Sequence, residues 1–372
     1  MKKKFLLLVF AVMAVSALNA ETKWYNPMEA GYPVVQNQGW TEELSSTYQR
    51  LPDRAKEQVR EPLWNLSLNS SGLAIYFTTD APSITVKYAV TGPLSMPHMP
   101  STGVTGVDLY KIAPDGKTHE YCFSGYSFGD TVRYSYNNLL PTDYDGKAPE
   151  YRLNLPLYNT VTNLEIGIPD SCSINFLPKR QDKPIVVYGT SIAHGACSSR
   201  PGMAWVNIVR RNLNDYPLVN LGFSGNGRLE PELISLINEL DAAVYVLDCM
   251  PNLTGRSSEQ VYNLVMSAVG DIRAKSGTPI ILIEHAGYSN AVSNPKQFEE
   301  FMRANMGQRR AFDELQAKGT PNLYYITREE LGYPADAWVD YVHPSDLGAQ
   351  KQADVVTERL KAVVPGVKSY CE

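Results

Sequence analysis

Ile185-Val-Val-Tyr-Gly-Thr-Ser-Ile-Ala-His-Gly-Ala196 is the stretch whose reading decides the fold. Four residues of β preference, Ile185 to Tyr188, run into Gly189-Thr190-Ser191, and an amphipathic pattern follows from about Ala204 to Leu213. That order predicts a buried strand, a tight turn and a helix. It puts Ser191 at the carboxyl end of a strand, the edge at which open α/β sheets bind ligands. A serine held there can stand among backbone N–H groups that receive an oxyanion. Ser and Gly are also ordinary turn residues, so the stretch draws its meaning from what surrounds it.

Downstream the same unit recurs. Apolar strand candidates at Leu218–Leu221, Ala243–Leu247, Pro279–Ile283 and Leu323–Ile326 follow Ile185–Tyr188. Helical patterns lie between and after them, near Ala204–Leu213, Glu230–Leu240, Ser257–Lys275, Pro295–Lys318 and Asp346–Val363. Strand and helix in alternation imply a parallel sheet with helices on both faces, an α/β fold. The first half reads differently. Gly72–Thr79, Ser83–Val90, Val107–Ile112, Thr131–Ser135 and Val161–Gly167 alternate apolar and polar residues between turns such as Asp115-Gly116. This is the pattern of an antiparallel sandwich, jelly-roll-like in strand count and spacing. The charged, Pro-bearing run Leu177–Pro184 is the expected boundary, giving a β-sandwich over residues 21–180 and an α/β domain over 181–372. The linker is short and not Gly/Ser-rich, so the two halves are expected to pack together, with the long Thr91–Gly106 loop as the sandwich segment that reaches the catalytic edge.

Residues 1–20 read as a signal peptide: Lys2, Lys3 and Lys4, an apolar run from Phe5 to Val15, then small residues up to Ala20. The run is too short for a comfortable membrane span, so a periplasmic or secreted protein with no integral membrane segment after cleavage is expected. A net charge of -5 over 372 residues argues against nucleic acid as the main partner. Of the five cysteines, none forms a C-x-x-C pair, so no zinc site is expected from spacing. Cys197 and Cys249 lie just beyond adjacent strand ends and are expected to be neighbours, either bonded in an oxidising compartment or as two buried thiols.

Three more stretches fall at predicted strand ends or before the last helix: Asn220-Leu-Gly-Phe-Ser-Gly-Asn-Gly227, Leu247-Asp-Cys-Met-Pro-Asn252 and Asp340-Tyr-Val-His-Pro344. With Gly189-Thr-Ser191 these blocks resemble the SGNH hydrolase superfamily, relatives of the GDSL esterases and lipases, from about Lys183 to the end. The preceding sandwich also resembles that of exported carbohydrate esterases of gut Bacteroidetes. The resemblance implies an SGNH/flavodoxin-like parallel sheet, Ser191 as nucleophile, His343 as base and Asp340 as its partner. It further implies an oxyanion hole from Ser191, Gly225 (with Gly222 as the alternative) and Asn252. The chain departs from the family pattern in having Thr190 where the name-giving motif has Asp, and Met-Pro-Asn-Leu where Gly-x-Asn-Asp is usual. Chemistry agrees with these roles, since a serine hydroxyl needs a base of near-neutral pKa and that base needs an orienting carboxylate.

Other residues remain candidates. Arg228 and His285 are expected near substrate, Arg200 against sugar or on the surface, and His194 as a cap, a surface residue or a substrate contact. Asp248, ending a buried strand, is expected to hydrogen-bond backbone. The leading expectation is a serine esterase without metal or cofactor that removes an acyl group, acetyl foremost, from an acylated polysaccharide or oligosaccharide. The alternatives are a non-catalytic carbohydrate-binding or adhesion protein, and a glycan O-acyltransferase using the same triad. Oligomeric state is not legible in the sequence.

Overall fold

The computed structural model describes residues 21–142 and 144–364; residues 1–20, expected to be a signal peptide, and Cys371 lie outside them. The second half is built around five parallel strands, Ile185–Gly189, Leu218–Gly222, Val244–Asp248, Ile280–Ile283 and Leu323–Ile326. Numbered along the chain, their spatial order is 2-1-3-4-5, the flavodoxin-like winding with its switch point between strands 1 and 3. Nearly every residue of these strands is buried, which is why they read as continuous apolar runs rather than alternations. Two apolar clusters result, one on each face. Leu233, Ile237, Val265 and Ile272 belong to one, and Trp205, Val209, Val356 and Leu360 to the other. Helices Trp205–Asn212, Pro231–Ile237, Ser258–Lys275, Pro295–Ala317 and Asp346–Val363 supply them. Their starts follow local chemistry: Ser257 and Gln260 form a reciprocal capping box, and Pro231 and Pro295 stand in first turns.

The first half forms two antiparallel sheets. One runs Thr22–Tyr25, Val161–Pro169, Ser83–Val90, Val132–Asn137, Ser124–Ser127, and the other Ile174–Phe176, Ala74–Thr79, Glu150–Asn154, Asp108–Ile112, His119–Cys122, with Val35–Gln36 also on Ala74–Thr79. Their inner faces share a core of Ile75, Phe77, Val86, Tyr136, Leu153 and Ile166.

The halves are joined by more than a linker. Asp215 of the α/β half pairs with the buried Arg152 of the sandwich and, at 3.2 Å, with His119. Arg210 donates to Asn154, whose amide donates to Asp108 at 2.7 Å, and Asp108 also accepts from Arg200 at 2.7 Å. Arg200 is therefore committed to the interface, not to sugar or to solvent. The boundary segment is itself pinned, Lys179 N–H donating to Pro33 O and Arg180 N–H to Gln36 Oε1.

A further junction covers one edge of the parallel sheet. Strand Leu218–Gly222 is that edge, and its outward backbone groups are taken by side chains of the N-terminal segment. Asn37 Oδ1 accepts from Leu218 N–H at 3.2 Å, and the wholly buried Arg50 donates to the carbonyls of Asn220 at 3.2 Å and Gly222 at 2.7 Å. The helix Glu61–Ser67, which the sequence reading did not anticipate, also packs Leu63 and Trp64 onto this face. Edge strands need such cover to avoid pairing with foreign chains.

Candidate active site

All the sequence blocks meet at the carboxyl edge of the parallel sheet. Ser191 opens the four-residue helix Ser191–His194 directly after the first strand, with Thr190 capping it and Gly195 ending it at φ 102°. Asp340 and His343 come from a tight loop ahead of the last helix. That loop is closed by Val339 N–H to His343 O at 2.9 Å and Ser345 N–H to Ala337 O at 2.7 Å. The structure brings the three together: Ser191 Oγ lies 2.9 Å from His343 Nε2, and His343 Nδ1 lies 2.7 Å from Asp340 Oδ2. The other Asp340 oxygen accepts from the Val342 N–H at 2.8 Å and the His343 N–H at 2.7 Å. Partial burial alone would raise the Asp340 carboxyl. The bonds from the His343 ring and the two backbone N–H groups outweigh it and hold the group below the usual carboxylate range. An ionised Asp340 then accepts the Nδ1 proton, which leaves Nε2 as the acceptor facing Ser191.

The second and third blocks flank the serine. Gly225 sits at φ 69°, and a Cβ there would point into open space; the turn requires the left-handed conformation that glycine adopts without strain. Gly222, the alternative, has its N–H donated to Asn220 Oδ1 at 2.9 Å, and a Cβ on it would strike the His194 backbone. It therefore serves packing, and Gly225 is the glycine open to a ligand. Among the described residues, neither the Ser191 N–H nor the Gly225 N–H is taken by a protein acceptor. Asn252 accepts the Gly227 N–H at 3.0 Å through Oδ1. Since a backbone N–H can only donate, this fixes the amide with its NH₂ on the other side, free to donate. Gly227 is held against the first strand, a Cβ there falling 2.2 Å from Gly189 O.

Other candidates fall elsewhere. His194 is neither a cap nor a surface residue. It is wholly buried at the junction of the halves, stacked on Tyr158 with centroids 4.1 Å apart and with Nε2 2.8 Å from Leu157 O; burial pushes its pKa well down. His285 is 1% exposed, lies against Tyr288 and Phe301, and accepts the Gly287 N–H through Nδ1 at 2.8 Å. Burial lowers its pKa to about 3, so it supports the wall beneath those rings from inside. Asp248 accepts from the Gln352 side chain at 2.9 Å instead of from backbone, and full burial raises its pKa to about 7. Arg228 donates through Nε to Gly225 O at 2.9 Å and is half-buried beside the Gly225 turn.

Cys197 and Cys249 are both free thiols. Cys249 turns back beneath the first strand, its Sγ 3.7 Å from Tyr188 O. Cys197, at φ 65°, instead faces the catalytic loop with His98 and His343. The His98 imidazole, from the Thr91–Gly106 loop, stacks on that of His343 with centroids 5.8 Å apart. Sequence reasoning singled out this loop but not this residue; only its length and its Met-Pro-His-Met tip marked it.

A parallel 2-1-3-4-5 sheet carrying a Ser–His–Asp hydrogen-bonded chain at its carboxyl edge is the arrangement that the SGNH resemblance implies. Residues 182–361 match the model of the GDSL-like lipase/acylhydrolase family, and residues 22–174 match that of the N-terminus of SGNH-hydrolase-type esterases. Each half thus matches its own family model, the second half that of the GDSL-like lipases and acylhydrolases. Among solved structures, a protein of Bacteroides ovatus described as a GDSL-like lipase superposes with a TM-score of 0.83 at 28% identity, over 93% of this chain and 98% of that one. The salicylyl-acyltransferase SsfX3 from a tetracycline biosynthetic pathway gives 0.72 at 18% identity, over 92% and 97%. A family two carbohydrate esterase from Cellvibrio japonicus gives 0.51 at 12% identity, over 93% and 98%; these last two share the fold. Among curated proteins none matches.

Proposed function

We propose that this protein is an exported serine esterase that removes acyl groups, acetyl foremost, from a polysaccharide or oligosaccharide. The observation that carries the reading is the hydrogen-bonded chain from Ser191 Oγ through His343 to Asp340, set beside an Asn252 amide whose NH₂ is free. The signal-like residues 1–20 support export. In this reading His343 Nε2 takes the Ser191 proton as Oγ attacks the ester carbonyl, and Asp340 stabilises the imidazolium. The negative charge that develops on the carbonyl oxygen is met by the N–H groups of Ser191 and Gly225 and by the Asn252 amide. His343 then protonates the departing sugar oxygen, which leaves as the hydroxyl and gives an acyl-Ser191, and water activated by the same imidazole releases the acid. The sandwich loop carrying His98 borders the same edge, so the sandwich shapes access for a chain-like substrate.

The test is acetate release from a panel of acetylated glycans, together with phosphonate labelling of the active serine located by peptide mass. We expect the label on Ser191, and loss of both label and acetate release in Ser191→Ala with the fold retained. Labelling of another serine, or near wild-type turnover by Ser191→Ala, would sink the reading. Added glycan acceptors distinguish transfer from hydrolysis, because a transferase would yield newly acylated acceptor instead of free acetate.

A further inference from the structure

We propose that His98, Cys197 and His343 together form a binding site for a thiophilic transition-metal ion of the Zn²⁺ type, and that its occupation switches the catalytic centre off. One ring nitrogen from each histidine and the Cys197 Sγ all lie within 4.8 Å of one another. Two imidazoles and a thiolate are a donor set suited to Zn²⁺ or Cu⁺ and unsuited to Mg²⁺ or Ca²⁺. Three protein ligands leave a fourth position for water.

The three donors come from segments that are tied to one another. His98 stands at the tip of a two-residue turn closed by Met96 N–H to Met99 O at 3.0 Å and Met99 N–H to Met96 O at 3.1 Å, with Met99 buried in the core below. Thr102 Oγ1, from the same loop, donates to Ser199 O at 2.7 Å, just past Cys197. Ser199 in turn donates through N–H and Oγ to Asp346 at 3.0 and 2.5 Å, three residues past His343. A tetrahedral Zn²⁺ wants its ligand atoms about 3.3 to 3.6 Å apart. The present spacing, at most 4.8 Å, must therefore tighten by up to about 1.2 to 1.5 Å, to which rotation of the exposed His98 ring at its turn tip contributes.

Binding replaces the Cys197 S–H proton, released to solvent, by a metal–sulfur bond. It also occupies a nitrogen of His343. Both nitrogens of that ring are engaged, Nε2 toward Ser191 and Nδ1 toward Asp340, so coordination at either one disconnects the base. The inhibitory consequence rests on the esterase reading above; the metal site itself does not.

The experiment uses the full chain in two forms. In Ser191→Ala, where no turnover interferes, Co²⁺ titration should give a thiolate-to-cobalt charge-transfer band saturating at one ion per chain and erased by Zn²⁺. His98→Ala and Cys197→Ser should each weaken Co²⁺ binding by about tenfold or more; melting curves check that the variants are folded, and His98 is exposed enough that its truncation leaves the core untouched. In the protein with Ser191, Zn²⁺ should suppress aryl acetate hydrolysis about tenfold or more, a chelator should restore it, and His98→Ala should raise the half-inhibitory Zn²⁺ concentration to match its loss of affinity. Absence of the thiolate band, binding unaffected by either substitution, or equal inhibition by Mg²⁺ would overturn the proposal. A normal cobalt titration in a protein that hydrolyses no ester would leave the site standing and remove the function proposed above.

Discussion

Asn252 offers the sharpest separation between holding the fold and stabilising a transition state, because its two amide atoms are assigned to different tasks. Oδ1 accepts the Gly227 N–H at 3.0 Å, and the proposed function gives the NH₂ to the developing oxyanion. Asn252→Ala removes both. The buried Gly227 N–H is then left without a partner, at a cost of about 1 to 3 kcal/mol in stability. Loss of one oxyanion donor costs a further ~3 to 4 kcal/mol in the chemical step, a fall in kcat on the order of 10² to 10³. Asn252→Asp keeps the acceptor for Gly227 but turns a carboxylate oxygen toward the developing negative charge. Its stability should stay near wild type while its kcat falls below that of the alanine variant. Thermal melts and steady-state hydrolysis of an aryl acetate give the two rankings: wild type and Asp above Ala in stability, wild type above Ala above Asp in kcat. The crossing of these orders is the test. If stability and activity fall in one common order, or if Asn252→Ala turns over at near wild-type rate, Asn252 is a structural residue and the oxyanion assignment fails.

Other expectations follow from the same structure. Asp340→Asn should lower kcat on the order of 10³- to 10⁴-fold, as in serine hydrolases where the wrong imidazole tautomer is imposed, with little change in melting temperature. Asp248→Asn should stabilise the protein more at pH 8 than at pH 5. The buried carboxyl's pKa is raised to about 7, against about 3.9 when unfolded, so its contribution is fully present below the unfolded value and is lost as pH rises toward 7. Equal melting increments at both pH values would refute this. Asp215→Ala leaves the buried Arg152 without its carboxylate and should cost about 3 to 5 kcal/mol, seen as one lowered denaturation transition; two separate transitions would show that the halves fold independently. Gly227→Ala should impair both stability and turnover, since its Cβ would meet Gly189 O, whereas Gly225→Ala should cost only about 1 to 2 kcal/mol of backbone strain.

The parallel half was legible almost residue by residue because burial on both faces turns strands into unbroken apolar runs and gives the intervening helices an amphipathic period. The sandwich was less so. Its short edge strands His119–Cys122 and Ser124–Ser127 flank Phe123, which is 83% exposed, so no alternation marks them. Glu61–Ser67 was missed because a helix of seven residues, about two turns, carries no usable period. At the site, the triad candidates and the Gly225 and Asn252 turns were visible because each stands at a strand end or just before the last helix. His98, His194 and Arg200 were misjudged or passed over for a common reason. Their partners, His343, Tyr158 and Asp108, lie in the opposite half of the chain, and no local pattern encodes a contact across that junction.

The covering of strand Leu218–Gly222 by Asn37 and Arg50 also bears on the order in which the molecule is made. Synthesis delivers Arg50 to the folding chain long before the carbonyls of Asn220 and Gly222 exist to receive it. Until they emerge, the guanidinium has no reason to leave water, because burying it uncompensated is prohibitive. The stretch around Arg50, which also donates to the carbonyls of Leu66 and Asn69, is therefore expected to complete its packing after the sandwich strands have paired. We expect it to dock once the parallel sheet has formed this edge, so that docking covers an exposed strand edge of the nascent protein. A chain begun after residue 181 would reach that moment with nothing to lay over the edge, and we expect such a fragment to associate strand to strand during expression.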